Sequence, residues 1–449
     1  MEKNKIIEEL KWRGLLADSI GCINDNLKEG ETFYIGTDPS SVKKENLNPE
    51  HPEITSSLHI GHLAAFMTAK LLQKHGLKPI ILIGTATALM GDPSGKTAER
   101  ALLDEDSMAH NAECIRKQLM SLLDFDETKP NGAIMVSNND WMKDFSFVQF
   151  SRDVLKYITL NYMLAKESIK QRISREGTGI SLTETLYGPI QAYDFLHLRE
   201  KYGCKIQLAG RDQVGNAATG IELARKSKGI TDLSGLFIPL ICDENGNKFG
   251  KSNDGKNVFL DKHLTSVYSF YQFWLNQSDT ASESLIKQFT LLDVAEIEAI
   301  IEAHRAEPHK RIIQKALAKE VTTMIHGEEE CNKAISASGI LFSSEGVDAF
   351  EDLDNNTIVS IFEGCPKFEI TKSKLDGEGI SLVDLAVEAQ FFKSKNDLRK
   401  LITSGGVSVN KAKVTSPTQR LKLENLIKNK FIIIQQGRKK HNLVIVKEN

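Results

Sequence analysis

Between residues 32 and 242, short apolar runs alternate with longer stretches of helical periodicity, and this alternation restricts the possible folds more than any other feature of the chain. The candidate strands are Thr32 to Gly36, Pro79 to Gly84, Ala133 to Val136, Lys205 to Leu208 and Leu236 to Cys242, of which all but the alternating Lys205 to Leu208 are predominantly apolar. Strands of that kind are covered on both faces, since a half-exposed strand would carry a polar side chain at every second position. Helical patterns lie between them at about Gly61 to Lys74, with Gly76 as a stop signal, and at Ser107 to Leu123, Ser181 to Lys201 and Asp212 to Lys226. A strand followed by a crossover helix pairs in parallel with the next strand, so the expected architecture is α/β with a doubly wound parallel sheet. Its ligand crevice should lie beyond the carboxyl ends of the strands.

Length divides the chain further. At 449 residues it exceeds what a single core of roughly 250 to 300 residues organises. Residues 1–262 are expected to form a Rossmann-like unit. From about Leu264 the pattern is purely helical, through AEIEAIIEAHRAEPHKRIIQKALAKEVTTMIHGEEECNKAI, which predicts an α-helical domain over 263–345. Clusters of Ser, Gly, Asp and Asn make 346–379 a linker of weak structure. Next, SLVDLAVEAQFF and NDLRKLITSG read as short helices and VSVN, FIIIQQ and LVIV as strands, so 380–449 is expected to be a small α+β module.

With 41% hydrophobic and 26% charged residues the chain has the composition of a globular protein, not of a disordered one. Its longest apolar stretch, Pro79 to Met90, falls well short of the roughly 20 residues that a bilayer span needs. The opening MEKNKIIEEL lacks the apolar run of a secretory leader, so a cytoplasmic location without membrane attachment is expected. Six cysteines are scattered without a Cys-x-x-Cys pair, which predicts neither a disulfide framework nor a zinc cluster, and no metal-ligand set is assigned. Charge is distributed unevenly. Residues 393–449 carry fourteen Lys and Arg against three acids, a surplus of eleven, so the remainder of a chain of net charge −3 has a net −14. A basic tail on an acidic body fits a polyanion-binding module, although a solvated lysine-rich surface has the same composition.

Three polar motifs lie close to strand ends. In SLHIGHL, His59 and His62 stand three apart at the start of a helix and so share a face. Backbone N–H groups at a helix start attract anions, and Gly61 lets a nucleotide approach the backbone. The two imidazoles could donate to ATP phosphates or be surface residues; a zinc site would need further ligands that the neighbourhood does not supply. Lys248-Phe249-Gly250-Lys251-Ser252 lies in the glycine-rich stretch DENGNKFGKSNDGKN. Its lysines could close over a triphosphate and neutralise charge on departing pyrophosphate, or simply be solvated. GDPSGKT, at 91–97, is not a Walker A loop, because Gly91 and Gly95 enclose three residues where that motif needs four. Asp92 within it could hold an ammonium group or cap a turn.

The order and separation of HIGH and KFGKS resemble those of class I aminoacyl-tRNA synthetases. The segments YIGTDPS, SLHIGHL, GDPSGK, YGPIQAYDF, IQLAGRDQVGN and KFGKS narrow the resemblance to bacterial tyrosyl-tRNA synthetases over nearly the whole chain. The tail is similar to the RNA-binding fold of ribosomal small-subunit protein four. This resemblance implies a tyrosine–tRNA ligase that makes tyrosyl-adenylate and pyrophosphate from L-tyrosine and ATP, then passes tyrosine to the 3′-terminal adenosine of tRNA(Tyr). It implies that Tyr34 and Asp194 hydrogen-bond the substrate phenol, and that Asp92, Tyr187 and Gln191 bind its ammonium group. Gln213 would contact tyrosine and line the adenylate crevice with Gly36, Asp38, Gly61, Gly210, Asp212 and Lys251. Catalysis would rest on His59, His62, Lys248, Lys251 and Ser252, with Mg2+ carried on the ATP phosphates. In the tail, Lys395, Arg399 and Lys400 lie along a short helix before the Gly405-Gly406 turn, a surface suited to RNA phosphates, although a solubilising role is the alternative; the helical domain should contact the anticodon side, and the resemblance implies a homodimer with tRNA crossing between subunits.

The residues themselves carry part of this. Tyr187, Gln191 and Asp194 fall at i, i+4 and i+7 on one helical face, and packing stripes seldom consist of Tyr, Gln and Asp. An ionised acid accepts strongly from a phenol, and phenylalanine would leave such a pair unsatisfied; tyrosyl-tRNA synthetases are the standard instance of this discrimination. Taken alone, Asp212 reads as a helix cap. The chain departs from the family in inserting VKKENLNPEHPEITS between Ser40 and Ser57 and in placing Val214 where many relatives have tryptophan, while Phe249-Gly250 replaces the more general Met-Ser of class I loops, as is common in this subfamily. Two alternatives remain open: a tryptophanyl-tRNA synthetase, which normally lacks the tail module and Asp194, and a synthetase-derived RNA-binding protein without catalysis.

Overall fold

The computed structural model describes residues 4–90, 104–166, 169–170, 173, 180–242, 249–250, 257–340, 350, 353–362, 365–392, 394–437 and 440–447. They fall into two compact units, Met1–Thr265 with Phe273–Ile325, and Ser266–Gln272 with His326–Asn449.

The first unit is built on a six-stranded sheet of β1 (Asp18–Gly21), β2 (Thr32–Thr37), β3 (Lys78–Ile83), β4 (Ile134–Ser137), β5 (Ile206–Gly210) and β6 (Ser234–Ile238), in the order β1-β6-β5-β2-β3-β4. Strands β2 to β6 pair in parallel, and the short β1 runs antiparallel at the edge of β6. The doubly wound Rossmann-like sheet expected from the alternation is present. Its edge strand escaped the sequence reading because DSIG has no apolar run to announce it. Strands β3 and β6 are buried almost throughout, as their apolar composition requires. From β2 the chain steps outward to β3 and β4, then returns to β5 on the other flank of β2. A crevice is therefore expected at the carboxyl ends of β2 and β5.

Three helices set the site. α1 (Ile60–Lys74) follows β2; α2 (Leu182–Tyr202) precedes β5; α3 (Val214–Lys228) follows it. Ser181 and Glu184 form a reciprocal capping box that starts α2, and Gly203, at φ 70°, ends it in the left-handed conformation that glycine adopts without strain. The inserted stretch 42–56 closes on itself through a bridge between Ser41 and Ser56. It is tied to the helix Glu105–Leu122 by Thr55 donating to Asn111 Oδ1 at 2.6 Å and by His110 Nε2 against Glu53 O at 2.6 Å. Asn48 Nδ2 also donates to His263 O at 2.7 Å. The pattern beyond Leu264 resolves into helices Val267–Leu275, Asp279–Phe289, Val294–Ala306, Ile312–His326 and Glu328–Ile340.

In the second unit β7 (Lys367–Thr371), β9 (Val407–Val409), β10 (Ala412–Lys413), β12 (Phe431–Gln436) and β13 (Lys440–Lys447) form a sheet ordered β10-β9-β12-β13-β7, while β8 (Ile380–Ser381) pairs with β11 (Arg420–Leu421). The helices α4 (Leu382–Glu388) and α5 (Lys395–Thr403) bury Leu382, Leu385, Leu398 and Ile402 against it. The segment 346–379, read above as a linker, contains the helix Asn355–Ile361 and β7, which pairs in parallel with β13. Only Ile370 is fully buried in β7, so its polar-rich composition concealed it as a strand.

Candidate active site

Tyr34 sits in the middle of β2, in register with Ile80 of β3 and Gln207 of β5, and is 1% exposed. Its ring packs against Phe195 of α2 with centroids 5.2 Å apart. Its hydroxyl is buried and has no hydrogen-bond partner among the described residues. Burial, and then the neighbouring Asp194 carboxylate, raise the phenol well above its ordinary pKa. Asp194, on the inner face of α2, is also 1% exposed and accepts from Trp141 Nε1 at 2.8 Å and Asn138 Nδ2 at 3.1 Å. Burial pushes its carboxyl up to about 7; the two donors pull it down and the charge of Asp38 pushes it up again.

A chain of hydrogen bonds continues from there. Asn138 Nδ2 also donates to Thr87 Oγ1 at 3.3 Å, and Thr87 donates to Asp38 Oδ1 at 2.9 Å. Tyr187 donates from its hydroxyl to Asp38 Oδ2 at 3.0 Å. Gly84 has to be glycine for this, since a Cβ there would come 2.1 Å from Asp38 Oδ1. Gln191 Oε1 and Gln213 Oε1 both accept from Asn216 Nδ2 at 3.0 Å, and Gln213 Nε2 donates to Asp212 Oδ2 at 3.1 Å. The structure thus brings together Tyr34, Asp38, Tyr187, Gln191, Asp194, Asp212 and Gln213. Asp212 lies in a one-turn 3₁₀ segment and is not the helix cap that its place in the sequence suggests, since the N-cap residue of α3 is Gln213, without a side-chain cap bond. Gly36 and Gly210 differ in cause. A Cβ at Gly210 would strike Asp212 Oδ1 at 2.5 Å, whereas at Gly36 it would meet only Leu82 O at 3.9 Å, so packing inside the protein does not demand glycine at 36.

His59 is the N-cap residue of α1. Its Nδ1 accepts from Gly61 N at 3.0 Å, and His62 Nδ1 accepts from His59 N at 3.3 Å, a capping box built from two histidines. Because both Nδ1 atoms accept, both protons sit on Nε2, which makes each Nε2 a donor. The rings stack with centroids 3.9 Å apart. A Cβ at Gly61 would come 2.8 Å from His59 Cε1, so this glycine serves the histidine pair.

Asp92, Lys248, Lys251 and Ser252 lie outside the described residues, but the segments flanking the KFGKS motif do not. Ile60 N donates to Val258 O at 3.0 Å, Leu260 N to Leu58 O at 2.8 Å and Val258 N to Gly250 O at 2.9 Å. A Cβ at Gly250 would come 2.9 Å from Gly61 N. Phe249 is buried against Phe273, Trp274 and Phe289. Gly250 of the second motif and residues 258–260 after it therefore lie beside the start of α1.

Asn138, Trp141 and Thr87 were missed by the sequence reading. Asn138 and Trp141 lie in the polar run SNNDW directly after β4, and the rule that sites form beyond strand carboxyl ends would have flagged it. In the second unit, Arg399 and Lys400 are exposed on α5, and Lys395 pairs with Asp384 Oδ1 at 2.7 Å.

A sheet with its switch point at β2 and β5, carrying two histidines at a helix start, defines a class. A family model for class I tRNA synthetases (W and Y) matches residues 53–343, and one for the C-terminal domain of tyrosine–tRNA ligases matches 357–444. The chain is 48% identical to the tyrosine–tRNA ligase of Bacteroides fragilis over 98% of its own length and 99% of that protein's, and 47% identical to that of Bacteroides thetaiotaomicron over the same shares. Among solved structures it resembles a C-terminally truncated mitochondrial tyrosyl-tRNA synthetase of Aspergillus nidulans, with a TM-score of 0.64 and 28% identity over 76% of this chain and 95% of that one. The chain belongs to the tyrosine–tRNA ligases, class I aminoacyl-tRNA synthetases.

Proposed function

We propose that the crevice between β2 and β5 activates L-tyrosine with ATP, and that the tyrosyl group then passes to the 3′-terminal adenosine of tRNA(Tyr). The observation that carries this reading is the buried, unpartnered hydroxyl of Tyr34 beside the Asp194 carboxylate. A substrate phenol inserted there accepts from Tyr34 and donates to Asp194, which satisfies three polar groups at once. An apolar ring in the same place leaves the Tyr34 hydroxyl unpaired and gives Asp194 no further donor, and indole offers a donor but no acceptor for Tyr34.

In the same proposal Asp92, Tyr187 and Gln191 hold the ammonium group, Gln213 orients the acyl end, and Gly36, Asp38, Gly61, Gly210 and Asp212 line the adenylate site. The tyrosine carboxylate attacks the α-phosphate in line, so the protein contributes positioning and charge stabilisation. The Nε2–H groups of His59 and His62 would donate to phosphate oxygens, and Lys248 and Lys251 with Ser252 would shield the departing pyrophosphate. Among the described residues no group of three His, Cys, Asp or Glu could cage a metal ion. Magnesium in this reading arrives on the phosphates, as a hard cation that keeps much of its water does.

Exposed large apolar side chains at Phe147, Val148, Leu160, Ile173 and Leu182, all more than half exposed, support a homodimer formed through this stretch of the first unit. The basic face of α5 supports tRNA phosphate binding by the second unit, with the helices of 263–345 on the anticodon side. Among the described residues no helix is long and apolar enough to cross a membrane, and we place the protein in the cytoplasm, where its substrates are.

Exchange of pyrophosphate into ATP tests the proposal. It should require tyrosine; dependence on tryptophan, or no exchange with any amino acid, would overturn it.

A further inference from the structure

Asn216, in the first turn of α3, is buried and engages both ends of its amide. Its Nδ2 donates to Gln191 Oε1 and Gln213 Oε1, each at 3.0 Å, while its Oδ1 accepts from Lys166 Nζ at 3.1 Å. Lys166 can only donate, so it fixes which end of the amide is the oxygen. That choice is handed on: both glutamines must turn an oxygen towards Asn216, and their NH2 groups point elsewhere. The contact crosses α2 at Gly188, where a Cβ would come 2.9 Å from Lys166 Nζ and 3.2 Å from Asn216 Oδ1. No carboxylate among the described residues forms an ion pair with Lys166, and burial alone brings its ammonium down to about 8. A half-buried cation without a counter-ion costs the fold stability, which fits a role in the site more than one in packing.

We propose that Lys166 is a positioning residue of the tyrosine and adenylate site, setting through Asn216 the direction in which Gln191 and Gln213 present their amides to substrate. The inference rests on those two glutamines touching substrate, as proposed above. It assigns a function to a lysine that acts through Asn216, and it explains why position 188 is glycine in the middle of a helix, where glycine is otherwise unfavourable.

Tyrosine-dependent pyrophosphate exchange, with Gln191→Ala measured in parallel, is the test. Lys166→Met and Asn216→Ala should each raise KM for tyrosine roughly tenfold with kcat little changed, and the double variant should be no worse than either single one. Lys166→Arg, charged at every accessible pH, should abolish the rise of KM above about pH 8, read as the difference from wild type so that the titration of tyrosine itself cancels. Gly188→Ala favours the helix but displaces the ammonium, so KM should rise in a variant whose Tm is not lowered; this arm holds even where Lys166→Met folds poorly. If Gln191→Ala raises KM while the Lys166, Asn216 and Gly188 variants leave both KM and its pH profile unchanged, Lys166 is not a positioning residue. If Gln191→Ala and Gln213→Ala also leave KM unchanged, the glutamines do not touch substrate and the inference falls together with that assignment.

Discussion

Tyr34 keeps a buried hydroxyl unpaired, which costs a folded protein about 1–3 kcal/mol. Tyr34→Phe should therefore raise the melting temperature of the ligand-free protein and, in the exchange assay, lower its preference for tyrosine over phenylalanine by roughly tenfold. A variant that is less stable and equally selective would show that the hydroxyl is satisfied within the protein. Asp194 gives a second prediction. Its carboxyl titrates near 7 in the folded state against 3.8 as its ordinary value, so the folded protein holds this proton more tightly than the unfolded chain does. The stabilisation is complete below about pH 4 and is lost as pH rises through 7, by up to about 4 kcal/mol. Asp194→Asn should accordingly gain in melting temperature relative to wild type between pH 4 and 8; a difference independent of pH would mean that Asp194 is ionised throughout. Donation from a bound phenol favours the carboxylate, so tyrosine binding at pH 7 should release about half a proton, measured by calorimetry in buffers of different ionisation heat. No release would place the phenol elsewhere.

At the scale of elements, the described residues of the KFGKS motif and those after it are anchored in the first unit. Phe249 has its ring in a cluster with Phe273, Trp274 and Phe289, while residues 258 and 260 bond to the start of α1. Phe249→Ala should cost about 3–5 kcal/mol of stability and lower kcat of activation while leaving tyrosine affinity, read by equilibrium titration, near wild type. An unchanged kcat would mean that the loop is positioned independently of this anchor. Elements with strong periodicity were legible from sequence: the runs that became β2, β3 and β6, and the Tyr187, Gln191 and Asp194 face of α2, which does turn inward. Elements whose stability comes from tertiary pairing were not. β1 and β7 are short or polar and exist because a neighbouring strand supplies hydrogen bonds. The same limit applied within the site. The type of Asp194 could be read, but its two donors come from after β4, more than fifty residues away, and only the sheet order brings them together.

For the whole molecule, charge and the proposed chemistry are separated along the chain, with the basic surplus at its C-terminal end and the proposed site residues in the first unit. Reversing Arg399 and Lys400 to glutamate should weaken tRNA charging and flatten its salt dependence by roughly 1 to 2 units of slope, with tyrosine-dependent exchange unaltered. Lys395 should matter less, because Asp384 already neutralises it. An unaltered salt slope would move the tRNA surface off α5. Leu182→Glu, at a side chain 82% exposed, should yield monomers in sedimentation if the apolar stretch is the dimer face, and dimers if it is not. Specificity in this pocket turns on a single oxygen atom, whose position a crystal structure with L-tyrosine bound measures directly. The phenol oxygen should lie within hydrogen-bond distance of both Tyr34 Oη and an Asp194 carboxylate oxygen; a tyrosine ring whose hydroxyl faces neither would overturn the assignment of the pocket.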